Sequence, residues 1–389
     1  MDAEMASWKS TGTYIDAVSV SRANIVDGMW IFRVKRPQGS PPAFKARYVA
    51  RGFSQRQGVD YFQTFSPTSK MTTLQLLLHV AAQCDYELHS LDFNTAFLQG
   101  SLHEEIWLRR PHGFTGLFPA DTQWSLRRLV YGLHQAPRKW HDTLTTTLAA
   151  IGFAPSTTDP SLFLRTDTSL PPFYVLVYVD DLVFATTNTE ITRDRARRTI
   201  TLTQSHMVHQ SVEPSGPCPE LVGCLMYLMT CTRPDLAYPL NLVARYVAPA
   251  RHRQVHWDAA KRIVRYLCST SGMGLVLGGR GPVVLTGHAD ASWVNDSATQ
   301  RSSQGYTFSL GSGSVSWRST RSSSVLSSSC EDEIYAGAMA AQELPWLTYL
   351  LTDLGEQPRS PPFLYVDNKA MIALCQEYRL EHRTKHITL

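Results

Sequence analysis

The chain has 389 residues, 43% of them hydrophobic, which predicts two or three domains with buried cores. Its formal net charge of +4 excludes a protein that binds nucleic acid through overall basicity, so any phosphate-binding surface has to be local. Its seven cysteines form no Cys-x-x-Cys pair, which argues against a disulfide framework, and no apolar run reaches the roughly 18 residues that a membrane span requires.

The first informative segment is a strand-like stretch over residues 44–55. Lys45 and Arg47 alternate along it, so a strand would project both side chains from one face toward an anionic ligand. The alternative is a solvated edge strand whose charges discourage aggregation. Further along, apolar spacing predicts helices over residues 71–83 and 140–151.

Between these two helices, a strand-like approach ends on Asp92, and the aromatic Phe97 follows five residues later. Asp92 is a candidate metal ligand because magnesium prefers nearly octahedral oxygen coordination, which two carboxylates alone leave undersupplied. Phe97 is a candidate wall of a sugar pocket, where its ring would exclude a ribose 2′-hydroxyl. A buried phenylalanine after a strand is alternatively a plain core residue.

The most informative stretch is residues 173–185, in which Asp180 and Asp181 separate two runs of strand-forming apolar residues. The pattern predicts a buried hairpin whose turn carries both carboxylates. Two ionised groups beside an apolar sheet repel each other and lose hydration, so Mg²⁺ is the natural compensation. A metal pair held about 4 Å apart performs in-line phosphoryl transfer. The alternative is a solvated Asp-Asp turn.

The composition then changes. Residues 191–217 are rich in Thr, Arg, Gln and Ser and end in Pro-Ser-Gly-Pro, which predicts a linker. Residues 219–267 are predicted to be largely helical, with an amphipathic basic helix over 256–267.

The last block, from about residue 281, repeats the combination of strands and carboxylates. An apolar strand ends on Asp290, a hairpin and a helix that contains Glu331 follow, and a final strand carries Asp367. Strand, hairpin, helix and strand, with acidic residues at their ends, is the order found in the ribonuclease H fold. Acidic residues in a first helical turn also stabilise the helix dipole, so Glu331 and Glu333 have a structural alternative.

Four motifs resemble, in their order, the reverse transcriptase and ribonuclease H region of copia-type LTR retrotransposon polyproteins. They are Phe-Lys-Ala-Arg-Tyr-Val-Ala-Arg-Gly-Phe-Ser-Gln (44–55), Asp-Phe-Asn-Thr-Ala-Phe-Leu-Gln-Gly (92–100), Tyr-Gly-Leu-His-Gln-Ala-Pro-Arg-Lys-Trp (131–140) and Tyr-Val-Asp-Asp (178–181). The resemblance covers nearly the whole chain. It implies an α+β fold with polymerase fingers and a ferredoxin-like palm over residues 1–190, a linker and helical connection over 191–280, and an incomplete α/β ribonuclease H-like domain over 281–389.

The resemblance also implies two sets of catalytic, metal-binding carboxylates. Those of the polymerase are Asp92, Asp180 and Asp181, and those of the ribonuclease H are Asp290, Glu331 and Asp367. Glu331 is preferred to Glu333 because it matches the family position. Each set would hold two Mg²⁺ ions, with Mn²⁺ as a substitute.

Four further residues receive nucleotide-binding roles from the resemblance. Lys45 and Arg47 would reach the incoming triphosphate, Gln135 would touch the nucleotide, and Phe97 would be the sugar gate. Glutamine at a loop-to-helix junction has a second interpretation as local scaffolding, because its amide both donates and accepts hydrogen bonds.

Three departures from the family pattern predict impaired activity. The segment after the hairpin runs near residue 190 directly into one normally found well downstream, so the primer-grip and thumb segment is missing. A second abrupt join falls near residue 210, and the chain stops before the last strand and helix of a ribonuclease H domain. Metal binding depends on local carboxylates and could survive, whereas primer placement needs reacting atoms within about 3.5 Å.

The favoured function is an impaired RNA-directed DNA polymerase with ribonuclease H activity. Its partners would be an RNA template, a DNA primer, an RNA–DNA hybrid, deoxynucleoside triphosphates and polyprotein parts absent from this chain. The alternative is a catalytically dead remnant that at most binds nucleic acid; a weaker third is a palm-type nucleotide cyclase or other phosphotransferase. The expected location is intracellular, in a cytoplasmic particle or the nucleus, without membrane association or secretion.

Overall fold

The computed structural model describes residues 1–18, 23–35, 41–93, 95–111, 122–187, 199–204, 218–248, 251, 253–279, 283–296, 298–311, 313–357 and 361–377. The helices of this part of the chain are α1 (Asp2–Ser10), α2 (Met71–Gln83), α3 (Ala96–Gln99), α4 (Ala136–Ala150), α5 (Cys218–Cys231), α6 (Ala237–Ala244), α7 (Gln254–Ser269), α8 (Ser329–Asp353) and α9 (Lys369–Glu377). None of them combines the length and the apolar character that crossing a bilayer takes.

The strands of the same residues, numbered in chain order, are β1 (Tyr14–Val18), β2 (Ile25–Val26), β3 (Gly28–Lys35), β4 (Ala43–Ala50), β5 (Tyr86–Asp92), β6 (Trp107–Leu108), β7 (Thr122–Leu126), β8 (Phe153–Pro155), β9 (Leu162–Arg165), β10 (Phe173–Tyr178), β11 (Asp181–Thr187), β12 (Thr199–Leu202), β13 (Leu275–Gly278), β14 (Leu285–Asp296), β15 (Arg301–Leu310), β16 (Gly313–Arg321) and β17 (Phe363–Tyr365). They form five sheets: β1-β7-β6-β2, β5-β11-β10-β9-β8, β3-β4, β12-β13 and β16-β15-β14-β17.

The chain divides into two compact units, and both mix helices with strands. The first contains Met1–Ser69 and His89–Phe184, and the second contains Lys70–Leu88 and Ala185–Leu389. This division differs from the boundaries predicted near residues 190 and 280, because α2 joins the second unit and the helices α5 to α7 share that unit with the C-terminal sheet.

Helix α2 belongs to the second unit because its polar side chains are bonded there. Gln75 donates a hydrogen bond from Nε2 to the carbonyl of Cys231 at 3.1 Å. His79 accepts one at Nδ1 from the N–H of Gly278 at 3.0 Å. Both side chains are buried, so these hydrogen bonds satisfy groups that would otherwise cost free energy on folding.

The first unit is built around the five-stranded sheet. Its strand β10 is buried over four successive residues, a pattern typical of a strand covered on both faces. Helix α4 buries one face, formed by Trp140, Leu144 and Leu148 at a spacing of four residues. Each large apolar side chain buried in this way contributes about 1.5–3 kcal/mol.

The second unit is built around the sheet β16-β15-β14-β17, in which β17 runs parallel to β14 and the other neighbours are antiparallel. Helix α8 packs on β14 and β15. The helices α5, α6 and α7 have their own apolar core, which includes Leu225, Leu236 and Ile263.

Most predicted elements are present. The helix over residues 71–83 is confirmed as α2, and the one expected over 140–151 begins earlier, at Ala136, with a proline in its first turn. The hairpin at Asp180 is confirmed, although its turn is Val179-Asp180 and Asp181 opens β11. Part of the predicted linker is instead the strand β12, paired with β13. The joins expected near residues 190 and 210, and the chain end, lie outside the described residues.

Candidate active sites

The three aspartates assigned to the first site come together at one edge of the five-stranded sheet. Asp92 ends β5 and Asp181 begins β11, and these two strands are neighbours. The N–H of Phe93 donates a hydrogen bond of 2.9 Å to the carbonyl of Asp180, which ties the end of β5 to the hairpin turn. Residues separated by about ninety positions in sequence therefore share one site.

The carboxyl groups of this site influence one another electrostatically. Desolvation raises the pKa of Asp181 above its usual value, and the like charges of Asp180 and Asp92 raise it further. Among the described residues, these three do not form a group whose ligand atoms all lie within 4.8 Å. Since Mg²⁺ binds its oxygen ligands at about 2.1 Å, a single ion bound by all three carboxylates would have to draw them closer together.

The turn that carries Asp180 is strained. Val179 has φ 58°, in the left-handed region that a β-branched residue rarely adopts. A positive φ at the first central residue of a two-residue hairpin loop normally selects glycine, and a residue with a Cβ costs about 1–2 kcal/mol there. Trp140 donates from Nε1 to the Val179 carbonyl at 2.6 Å and so holds the turn. Backbone strain of this kind is concentrated at functional sites.

An aromatic cluster lies beside the aspartates. Phe97 is buried, and its ring meets that of Tyr131 edge to face at 4.9 Å. The guanidinium of Arg47 lies 4.6 Å from the centre of the same Tyr131 ring. Burial raises the pKa of Tyr131, Arg47 lowers it, and the charges of Asp180 and Asp92 raise it, so the carboxylates act electrostatically on this ring. Sequence reasoning gave Tyr131 no role, although it is the first residue of the third motif.

The hairpin of β3 and β4 has two chemically different faces. Its register sets Arg33 opposite Lys45 and Ile31 opposite Arg47, so the three basic side chains share one face. The opposite face carries aromatic rings, among them the exposed Phe32 and Phe44. The alternation predicted for Lys45 and Arg47 is therefore present.

Gln135 does not lie on a nucleotide-binding surface. Its side chain is 1% exposed, its Oε1 accepts a hydrogen bond from Gln55 Nε2 at 3.1 Å, and its Nε2 donates to the carbonyl of Asp60 at 2.9 Å. Both ends of the amide are used inside the first unit, which disagrees with the expected nucleotide contact and favours the scaffolding interpretation.

The second site lies where β17 ends beside the middle of β14, because β14 does not end on Asp290 as expected but continues to Asp296. The register pairs His288 with Tyr365, so Asp290 and Asp367, each two residues further along, come side by side. Glu333 of α8 joins them, and one carboxylate oxygen from each of the three lies within 4.8 Å of the others. Three carboxylates are the oxygen donor set that a hard divalent cation prefers.

The electrostatics of this second site favour a bound cation. Desolvation, followed by the charges of Asp290 and Asp367, raises the pKa of Glu333 to about 7. Desolvation and Asp367 likewise raise the pKa of Asp290. A divalent ion would neutralise the repulsion that causes these shifts.

The structure brings Glu333, and not the preferred Glu331, beside Asp290 and Asp367. Oε2 of Glu331 accepts hydrogen bonds from the N–H of Ser327 at 2.8 Å and from its hydroxyl at 2.7 Å, while the Glu331 N–H donates to the Oγ of Ser328. Residues two apart on a helix face in nearly opposite directions, so only Glu333 turns to the strands. Ser328 and Glu331 have the spacing of a helix capping box, a signal for this structural role in the sequence itself.

Comparisons with known proteins agree with the geometry of the first site. Residues 15–203 match the family described as reverse transcriptase (RNA-dependent DNA polymerase). The chain is 34% identical over 422 residues to the retrovirus-related Pol polyprotein from transposon RE2 of Arabidopsis thaliana, covering 94% of this chain and 29% of that protein. It is 29% identical over 452 residues to the corresponding polyprotein from transposon TNT 1-94 of Nicotiana tabacum, covering 100% of this chain and 34% of that protein.

The fold also has a solved counterpart. A foamy viral protease-reverse transcriptase in complex with double-stranded DNA superposes with a TM-score of 0.53 at 13% identity, covering 98% of this chain and 64% of that one. The chain spans about a third of the length of the plant polyproteins, 29% and 34% in the two cases. From the matched family and these relatives, the chain belongs to the copia-type retrotransposon Pol polyproteins and contains their reverse transcriptase region.

Proposed function

We propose that the first unit is the fingers and palm of an RNA-directed DNA polymerase and that the second unit carries a helical connection and a ribonuclease H-like domain. The observation that supports the polymerase most strongly is the hydrogen bond between Phe93 and Asp180, which brings Asp92 to the Asp180-Asp181 turn. The membership of residues 15–203 in the reverse transcriptase family supports the same conclusion.

In the polymerase site, Asp92, Asp180 and Asp181 would hold two Mg²⁺ ions, with Mn²⁺ as a substitute. The ions would activate the primer 3′-hydroxyl and stabilise the leaving pyrophosphate. Lys45 and Arg47 lie on the basic face of the hairpin and would bind the triphosphate. Phe97, backed by Tyr131, would form the wall that excludes a ribose 2′-hydroxyl.

In the second site, Asp290, Glu333 and Asp367 would hold the metal ions that support hydrolysis of RNA in an RNA–DNA hybrid. The raised pKa of Glu333 fits a group that gives up a proton when a cation binds. The substrates of the whole protein would be an RNA template, a DNA primer and deoxynucleoside triphosphates, inside a cytoplasmic particle or the nucleus.

We propose in addition that this copy polymerises poorly, since the sequence pattern after residue 187 predicts the loss of a primer-grip segment. The alternative, a catalytically dead remnant that binds nucleic acid, is favoured by one observation. Ligand atoms of the three polymerase carboxylates do not all lie within 4.8 Å of one another, whereas those of the three carboxylates of the second site do.

Primer extension on an RNA template, with purified full chain and Mg²⁺ or Mn²⁺, tests the polymerase. We expect short, non-processive products that Asp180→Asn or Asp181→Asn abolishes. Asp167→Asn is the matched control, because it removes an exposed carboxylate whose hydrogen bonds are made within its own turn. Products that persist in both site variants would contradict the assignment, no extension by the wild-type chain would favour the remnant, and robust processive extension would contradict the impairment.

Cleavage of a labelled RNA–DNA hybrid tests the second site. We expect Glu333→Gln to abolish cleavage and Glu331→Gln to leave the chemistry intact at a reduced melting temperature, because Glu331 serves the start of the helix. Loss of cleavage in Glu331→Gln with retention in Glu333→Gln would reverse the assignment.

A further inference from the structure

Two consecutive residues of helix α8, Asp332 and Glu333, lie next to one pair of opposed residues in the sheet. In the antiparallel pair of β14 and β15, Ala291 lies directly opposite Gln304. Gln304 donates from Nε2 to Oδ1 of Asp332 at 2.7 Å, in the interior. The backbone N–H of Ala291 lowers the pKa of Glu333, the residue that follows Asp332, so this carboxylate lies close to the same pair of strands.

We infer that Gln304 and Asp332 are a positioning pair for the carboxylate site formed by Asp290, Glu333 and Asp367. Their hydrogen bond fixes the rotational setting of α8 about its own axis, and that setting aims Glu333 at Asp290 and Asp367. The inference rests on the proposed metal-binding function of this site and names residues that the family resemblance did not assign.

The helix geometry couples the position of Asp332 to that of Glu333. Successive residues of an α-helix are rigidly related, by about 100° of rotation and 1.5 Å of rise, so any rotation that releases Asp332 moves Glu333 by the same angle. With side-chain ends about 6 Å from the helix axis, a rotation of about 15° displaces them by about 1.5 Å. Functional ligands need placement within about 0.5 Å. The cap at Ser328 fixes where the helix begins, and the Gln304 contact fixes which way its first turns face.

Asp332 is poorly explained as a residue kept for stability. It is 0% exposed, and its Oδ2 has no hydrogen-bond partner in the described structure. Its negative charge contributes to the raised pKa values of both Asp290 and Glu333. A buried carboxyl with one unpaired oxygen beside like charges costs free energy, so a neutral residue would serve folding better. Local features that cost stability are expected where they serve a site.

The test measures Mn²⁺ affinity by calorimetry on the full chain, in a background with Asp180→Asn and Asp181→Asn so that the heat reports the second site. We expect Gln304→Leu, which removes the donor at similar volume, to weaken Mn²⁺ binding roughly 10- to 100-fold, as loss of an outer hydrogen bond to a metal site typically does. Gln75→Leu is the matched control, because it also removes a buried amide hydrogen bond in the second unit.

Exchanging the side-chain lengths of Gln304 and Asp332 distinguishes a positioning role from general destabilisation. Gln304→Asn shortens one partner by a methylene and Asp332→Glu lengthens the other, so each single variant should weaken Mn²⁺ binding and the double variant should recover it. Wild-type affinity in Gln304→Leu, or equal losses in Gln304→Leu and Gln75→Leu, would overturn the inference. Absence of Mn²⁺ binding in the background chain would remove the metal centre itself, and the inference with it.

Discussion

The two glutamates at the start of α8 show how environment separates chemically identical side chains. Glu331 is satisfied by hydrogen bonds from Ser327, so it has donors to stabilise its charge. Glu333 faces Asp290 and Asp367, so its charge is opposed. The same carboxyl group is therefore a helix-capping group at one position and a candidate metal ligand two positions later.

The raised pKa of Glu333 predicts a pH dependence of stability. The pKa is raised from 4.5 to about 7 on folding, so Glu333 stabilises the folded chain fully below pH 4.5 and loses this contribution as the pH rises through about 7. Over that interval the loss is at most about 3 kcal/mol. In EDTA, we expect the free energy of unfolding of the wild-type chain to decline relative to that of Glu333→Gln between pH 5 and pH 8.

Magnesium should oppose the loss of stability that Glu333 causes at higher pH, because the ion binds the deprotonated carboxylates and releases protons. Denaturant titrations at pH 5 and pH 8, with and without Mg²⁺, measure both effects. Parallel pH profiles of the wild-type and Glu333→Gln chains in EDTA would show that Glu333 does not titrate in this interval.

At the scale of elements, the third motif is held against β4 by a close backbone approach. The N–H of Ala50 donates to the carbonyl of Tyr131 at 2.8 Å. The next residue, Gly132, has φ +92°, and a Cβ there would lie 2.0 Å from the Ala50 carbonyl oxygen. Only glycine permits this approach, which keeps Tyr131 beneath Arg47 and beside Phe97.

Substitution of Gly132 should therefore cost more than its backbone conformation alone explains. We expect Gly132→Ala to destabilise the first unit by on the order of 3–4 kcal/mol, from a positive φ combined with a backbone clash. Gly152→Ala is the control, with φ +88° but with Thr166 Oγ1, at 3.9 Å, as the nearest atom, so it should cost only about 1–2 kcal/mol. Chemical denaturation measures both, and equal losses would contradict the proposed clash.

At the scale of the whole molecule, α2 is joined to a strand almost two hundred residues away. His79 is 2% exposed and accepts a hydrogen bond from the N–H of Gly278. Burial lowers the pKa of His79 from 6.5 to about 4, so the ring stays neutral in the folded chain while the unfolded chain takes up a proton.

This linkage predicts acid sensitivity of the second unit. The contribution of His79 is fully present above pH 6.5 and is lost as the pH falls through about 4, by at most about 3 kcal/mol. We expect His79→Gln, which keeps an acceptor but does not titrate, to lose less stability than the wild-type chain between pH 6.5 and pH 4. Unfolding monitored at several pH values checks this, and identical slopes would contradict it.

The elements themselves were largely predictable from the sequence, because their signals are local. The spacing of apolar residues predicted α2 with its bounds, and the two apolar runs around Asp180 predicted the hairpin. The metal-ligand candidates Asp92, Asp180, Asp181, Asp290 and Asp367 followed from carboxylates predicted at the ends of strands and from the family resemblance, although Asp290 lies within β14 and not at its end. Their positions are set by short segments of chain, which sequence patterns describe well.

The tertiary structure decided what depends on residues distant in the chain. Packing between distant segments sets the partners of Gln135, which are Gln55 and Asp60. It also sets whether α2 belongs with the first or the second unit. The capping-box spacing of Ser328 and Glu331 indicates a structural role for Glu331, but the approach of Glu333 to Asp290 and Asp367 depends on how α8 is rotated against β14 and β15. Local propensity selects helices and strands, but burial and hydrogen bonding between distant segments decide which side chains meet.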